Sequence, residues 1–167
     1  MAKGNPKFGR RTVRKTSTKR KVNKSKIKAT KKTVDGIDFN SMLEVFTYRK
    51  LAEAGLETNY EAKSFTILPS FTYEQITWEN RGKSVDLIIK DESNIRAITY
   101  TPDFMKFDAN GDLEWVIECK GFANERFPNT WKMFKYYLLQ KQSKLPLLFM
   151  PRNQKQALAV VEYLKTI

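Results

Sequence analysis

The chain has 167 residues, room for one domain with a core of ordinary size. It has no histidine and a single cysteine, Cys119, which excludes Ser-His-Asp hydrolases, His-based nucleases, His- or Cys-cluster zinc sites and disulfides within the chain. Its +13 formal charge sits at one end: residues 1–34 hold 14 Lys/Arg and no Asp/Glu, whereas the remaining 133 hold 17 Lys/Arg against 18 Asp/Glu.

Residues 1–34 are rich in Lys, Arg, Ser and Thr, and too poor in apolar residues to offset the entropy of ordering. The expectation is a basic arm, disordered when free, ahead of a domain over 35–167. Such an arm suits a polyanion, with Arg10, Arg11, Arg14, Lys15, Lys19, Arg20 and Lys21 as phosphate contacts whose affinity falls steeply with salt. The bland alternative is a solubilising leader. No apolar segment follows the basic start, as a secretory signal requires, and nothing approaches the ~18 apolar residues of a membrane span. A cytoplasmic, reducing location is the expectation.

Asp35-Gly36 reads as the joint between arm and domain. A helix over about 39–54 follows, with Phe39, Met42, Leu43 and Phe46 as its apolar face and Gly55 as its stop. Ser41 to Glu44 matches a capping box, which gives Glu44 a purely structural role; a start at Asp38 instead leaves Glu44 free to face the rest of the domain. Residues 58–70 hold a strand, with Phe65, Ile67 and Tyr60 inward and Pro69 limiting its length. Residues 71–95 read as an antiparallel excursion, with a turn at Arg81-Gly82-Lys83 and a short strand from Val85 to Ile89. In it, burial of Tyr73 and Trp78 is preferred over stacking on bases.

Residues 97–107 and 113–120 flank Asn110-Gly111, a strong hairpin signal. A two-residue turn centred on that pair sets Ala109 against Asp112, Phe107 against Glu114 and Asp103 against Glu118. Opposed residues on one face lie about 4.5–5.5 Å apart at Cβ. Lys120, two residues past Glu118, points to the same face, and Cys119 to the other. Two carboxylates that close repel unless a positive charge intervenes, so the pattern suits a hard divalent cation, or else an exposed hairpin with Lys120 as counter-ion. A bulge or longer loop through Asp108–Asp112 shifts the register. Beyond the hairpin, residues 124–142 read as a helix with Phe127, Trp131, Phe134 and Leu138 as its stripe. Lys132 and Lys135 lie off that stripe and are either phosphate contacts or a solvated face. Leu145 to Met150 reads as a buried strand ended by Pro151, and Ala157, Leu158, Val161 and Leu164 mark a final helix.

Pro102-Asp103, fourteen intervening residues, then Glu118-Cys119-Lys120 resembles the PD-(D/E)xK nuclease signature. The likeness extends from Phe39–Glu44 through Leu68-Pro69 to Thr99–Phe104 and Glu118–Gly121. Over roughly residues 36–150 the chain is similar to small phage endonucleases of that superfamily, including the junction-resolving endonuclease I type. The resemblance implies an α/β restriction-endonuclease-like core, a central mixed sheet flanked by helices. It implies Mg²⁺ or Mn²⁺ held by Glu44, Asp103, Glu118 and the backbone carbonyl of Cys119, with Lys120 as the fourth catalytic residue. It also implies a homodimer, though the longer 71–95 segment and the basic arm depart from the endonuclease I pattern. The expected activity is metal-dependent endonucleolytic hydrolysis of DNA, branched DNA included. The alternative from another class is a non-catalytic nucleic-acid-binding or packaging-associated protein that kept the fold.

Overall fold

The computed structural model describes residues 31–75, 77–78, 88–89, 94–121 and 126–167. The basic residues Arg10, Arg11, Arg14, Lys15, Lys19, Arg20 and Lys21 and the Arg81–Lys83 turn lie outside these. In chain order the strands are β1 (Lys32–Val34), β2 (Ile37–Phe39), β3 (Asn59–Tyr60), β4 (Phe65–Leu68), β5 (Phe71–Thr72), β6 (Thr77–Trp78), β7 (Ile88–Ile89), β8 (Asn94–Ile95), β9 (Ile98–Tyr100), β10 (Phe104–Phe107), β11 (Leu113–Ile117) and β12 (Leu147–Phe149). The helices are α1 (Met42–Glu53), α2 (Phe127–Lys141) and α3 (Gln154–Leu164). The architecture is mixed α/β, and no helix among the described residues is long and apolar enough to cross a membrane.

A four-stranded sheet in the order β12-β11-β10-β3 forms the centre. β11 pairs parallel with β12 and antiparallel with β10, so the sheet is mixed. Strand alternation divides the core between its two faces. Phe104, Trp115, Ile117 and Cys119 pack with Val45 and Leu51 of α1 and Val161 and Leu164 of α3. Met105 and Val116 pack on the other face with Phe127, Trp131, Phe134 and Leu138 of α2, the stripe read from the sequence. The described strands of the 71–95 segment pair antiparallel as expected, β5 with β8 and β6 with β7, and β4 pairs antiparallel with β9 on either side of them. Tyr73 is exposed there, not buried.

Several expectations are corrected. Asp35-Gly36 is the turn of a β1–β2 hairpin, both residues having positive φ (52° and 79°), so strand pairing already lies on both sides of the anticipated joint. Phe39 belongs to β2 and is buried there, and α1 starts after the N-cap Ser41. Its inner face is Glu44, Val45, Thr47 and Leu51, while Met42 is exposed. Two polar residues interrupt that stripe, which is why apolar periodicity selected the wrong face. The 97–107 strand is broken between β9 and β10, because Pro102 has no N–H to offer a ladder. Leu145, which precedes β12, and Leu147 are exposed, and β12 is an edge strand of its sheet and not a fully buried one.

Candidate active site

The site forms where β10 and β11 leave the sheet. Phe104 pairs with Ile117, Met105 with Val116 and Lys106 with Trp115, the anticipated register. Nearer the turn the register differs, with Phe107 opposite Leu113. The loop holds Ala109–Gly111 and is closed by the Asp108 N–H on the Asp112 carbonyl at 2.8 Å, with Gly111 at φ 83°. The Asp108 carboxylate accepts the Asn110 and Asp112 N–H groups at 2.9 and 2.8 Å. This loop is one residue longer than expected, and the irregularity at Glu114 takes up the extra residue. The two departures cancel. Continuing the ladder one residue past Phe104 and Ile117 sets Asp103 beside Glu118.

Each carboxylate is buried: Glu44 is 5% exposed, Asp103 8% and Glu118 2%. Asp103 lies just after Pro102, where the backbone ladder has stopped, and its Oδ2 accepts the Cys119 N–H at 2.6 Å. Glu118 and Lys120 are held from the other side, their N–H groups donating to the Phe149 and Pro151 carbonyls at 3.0 Å. Strand alternation therefore persists to Lys120, which puts Glu118 and Lys120 on one face and turns the Cys119 thiol to the other, 3.3 Å from Thr47 Oγ1. Burial pushes that thiol well up, aided by Asp103, so it is a packing group and not a nucleophile.

Glu118 is bound at both oxygens. Oε1 meets Lys120 Nζ at 2.6 Å, and Oε2 accepts the Tyr100 hydroxyl at 2.6 Å. Lys120 Nζ also lies 4.5 Å from the centre of the Phe127 ring. Glu44 is similarly engaged: Oε1 accepts Ser41 Oγ at 2.6 Å, and Oε2 accepts the Asn40 N–H at 2.8 Å and the Tyr60 hydroxyl at 2.7 Å. The Glu44 N–H donates in turn to Ser41 Oγ at 3.2 Å, so Ser41 is the N-cap, while the Glu44 carboxylate reaches back to the Asn40 N–H and the Ser41 hydroxyl and not to the Ser41 backbone as a capping box would. It still acts on the site. Burial, then the charges of Glu118 and Glu44, push Asp103 up to about 8, against the Cys119 N–H and Lys120. Burial works to lower Lys120, but its bond to Glu118 and the three carboxylate charges outweigh this and its pKa is raised.

The structure thus brings Glu44, Asp103, Glu118, Lys120 and the Cys119 backbone into one electrostatic unit. Lys132 and Lys135 are exposed on α2, with Lys135 Nζ 5.7 Å from the Trp131 ring centre. Sequence reasoning missed Tyr60, Tyr100 and Asn40, which hold the carboxylates. Aromatic residues in strands read as core, and their hydroxyl partners are distant in sequence. Among the described residues, no three Asp, Glu or Cys side chains already stand in a metal-holding arrangement, and the carboxylate oxygens of Glu44, Asp103 and Glu118 take protein donors. A cleft of about 670 Å³ lined by Gly55, Lys106, Trp115 and Leu147, among others, touches none of the four charged residues.

No curated protein and no solved structure matches the chain. Residues 24–147 match the family described as a protein of unknown function, DUF1064, a span that takes in Glu44, Asp103, Glu118 and Lys120 and ends before α3. The chain belongs to the DUF1064 family.

Proposed function

We propose that the protein is a Mg²⁺- or Mn²⁺-dependent endonuclease with a restriction-endonuclease-like core, acting on DNA phosphodiesters. The observation that carries this reading is the buried Asp103–Glu118 pair, with Glu44 close enough to act on it and one cation, Lys120, to offset three carboxylates. Carboxylates buried in such excess are costly unless hydrogen-bonded, paired, protonated or given to a metal, and a metal takes the place of the proton that Asp103 otherwise holds. The donors are all oxygen, the chemistry of Mg²⁺ or Mn²⁺ and not of zinc. The residues present therefore fit a divalent cation, held by Asp103, Glu118 and the Cys119 carbonyl, with Glu44 ligating directly or through water. A bound cation acidifies a water and offsets charge developing on the phosphate.

The chain's own residues supply the rest. The Cys119 N–H fixes the Asp103 carboxylate against the adjoining strand. The Phe149 and Pro151 carbonyls fix the backbone on both sides of Cys119. Lys120, half-buried against Phe127, orients the attacking water or offsets phosphate charge. The basic arm brings DNA in without reading sequence, and Lys132 and Lys135 add phosphate contacts. Junction preference and a homodimer follow only from the likeness to endonuclease I and are read out by substrate choice and sedimentation. Cleavage of plasmid, linear, single-stranded and four-way-junction DNA tests the reading. Cutting that needs Mg²⁺ or Mn²⁺ and is lost in Asp103→Asn supports it. EDTA-resistant cutting contradicts the metal-dependent reading, and no cutting with salt-sensitive binding retained favours the binding-protein alternative.

A further inference from the structure

The two oxygens of Glu118 are not equivalent. Oε2 accepts the Tyr100 hydroxyl at 2.6 Å, whereas Oε1 meets Lys120 Nζ at 2.6 Å. Tyr100 is 7% exposed and cannot swing away: its ring is wedged against Phe134, Trp131 and Phe127 at centroid distances of 4.7, 6.0 and 6.3 Å. Lys120 differs, its side chain being 29% exposed and on a flexible stem, with the Phe127 face as a second contact among the described residues. One partner of Glu118 is therefore fixed and the other releasable.

We propose that Tyr100 is a positioning residue that leaves Glu118 a single oxygen, Oε1, to share, so that Lys120 and a divalent cation exclude one another there. This rests on the metal-dependent reading above. Lys120 is the placeholder in the cation-free site, balancing the buried carboxylate. With a cation on Oε1 the Lys120 ammonium would lose its partner and be free to reach a bound phosphate. Loading of the site and delivery of Lys120 toward substrate become one event, and a protein without metal keeps its lysine tied back.

The test is Mn²⁺ binding to the full chain without DNA, followed by the electron paramagnetic resonance of free Mn²⁺. Four proteins are compared: the parent, Lys120→Met, Tyr100→Phe and the double variant. Lys106→Met is the control, since Lys106 pairs with the exposed Glu57 and removes the same charge from the same strand pair without touching Glu118. Lys120→Met should tighten Mn²⁺ binding roughly tenfold, the scale of a partly screened unit charge at a few ångströms, and Lys106→Met should change it little. In the Tyr100→Phe background, Oε2 is free for the cation while Lys120 keeps Oε1. The gain from Lys120→Met should then shrink to roughly twofold, a non-additivity diagnostic of a shared group. Equal tightening in both backgrounds overturns the single-oxygen constraint, as does equal tightening by Lys106→Met. Unchanged affinity in Lys120→Met overturns the placeholder while leaving the metal site standing. No Mn²⁺ binding by any of the proteins overturns both the inference and the metal-dependent reading.

Discussion

Asp103 Oδ2 accepts the backbone N–H of Cys119 at 2.6 Å, at the point where the ladder between their strands has ended. A side chain here stands in for a backbone carbonyl. Pro102 interrupts the strand, and the residue after it turns its carboxylate onto the backbone of the adjacent segment. The bond fixes Asp103 beside Glu118 despite their like charges.

That placement has a consequence for stability. Asp103 is pushed up from 3.8 to about 8 by burial and by Glu118 and Glu44. Between those values the folded protein holds a proton that the unfolded chain has released. Asp103 therefore contributes stability at low pH that is lost as pH rises through about 8. Asp103→Asn keeps an oxygen for the Cys119 N–H and removes the charge. The variant should melt roughly 3–6 °C higher than the parent at pH 8, with the difference vanishing near pH 4. Mg²⁺ should raise the parent's melting temperature more at pH 8 than at pH 6, because cation and proton compete for this group. Calorimetry across pH checks both.

The two roles of Glu44 are separable. Ser41→Ala removes the N-cap acceptor and should cost about 1 kcal/mol of stability while metal-dependent cutting continues. Glu44→Gln keeps much of the cap but removes the charge facing Asp103, and should lower cleavage by roughly 10²-fold or more. Urea unfolding beside single-turnover cleavage measures the pair. Equal activity loss in both variants makes Glu44 a cap and nothing else.

Phe134 is fully buried and packs on Tyr100 and Phe65, with ring centroids at 4.7 and 5.3 Å. Phe134→Ala should cost about 3–5 kcal/mol, as expected for an emptied aromatic position. Phe134→Leu should cost less and retain cutting. Denaturant titration gives the first value and the cleavage assay the second.

The elements with one clean period were legible in the sequence. The α2 stripe of Phe127, Trp131, Phe134 and Leu138 is an uninterrupted helical repeat, and all four are buried. The Asp103–Glu118 adjacency was also legible, but through two misreadings that cancel: the loop is a residue longer than Asn110-Gly111 suggests, and Glu114 takes up the difference. Local signals fix a loop only when its side chains do not intervene, and the Asp108 carboxylate does, by binding two loop N–H groups. The inner face of α1 was hidden because Glu44 and Thr47 serve the site and its surroundings, so polarity broke the period. Tyr60 reads as inward-facing in the sequence, but nothing there signals that its hydroxyl, or that of Tyr100, holds a carboxylate. A phenol buried by its ring and anchored by its hydroxyl looks like any core aromatic until its partner across the fold is known.

The arm offers a prediction independent of the site. Deleting residues 1–30 removes most of the chain's excess positive charge. DNA affinity should fall and become much less dependent on salt, since fewer phosphates are neutralised. Some metal-dependent cutting should survive. Filter binding at several salt concentrations, beside cleavage by the truncated protein, gives both results; loss of all binding together with all cutting assigns the interaction to the arm alone.

The most direct test of the central claim is cleavage of a four-member DNA panel by the parent and by Glu118→Gln, each with Mg²⁺, Mn²⁺ or EDTA. The panel is supercoiled plasmid, linear duplex, single strand and four-way junction. A metal-dependent nuclease should cut at least one member only with metal, and this cutting should fall by roughly 10²-fold or more in the variant, with DNA binding retained. Parent and variant cutting alike, or neither cutting any member, would contradict it.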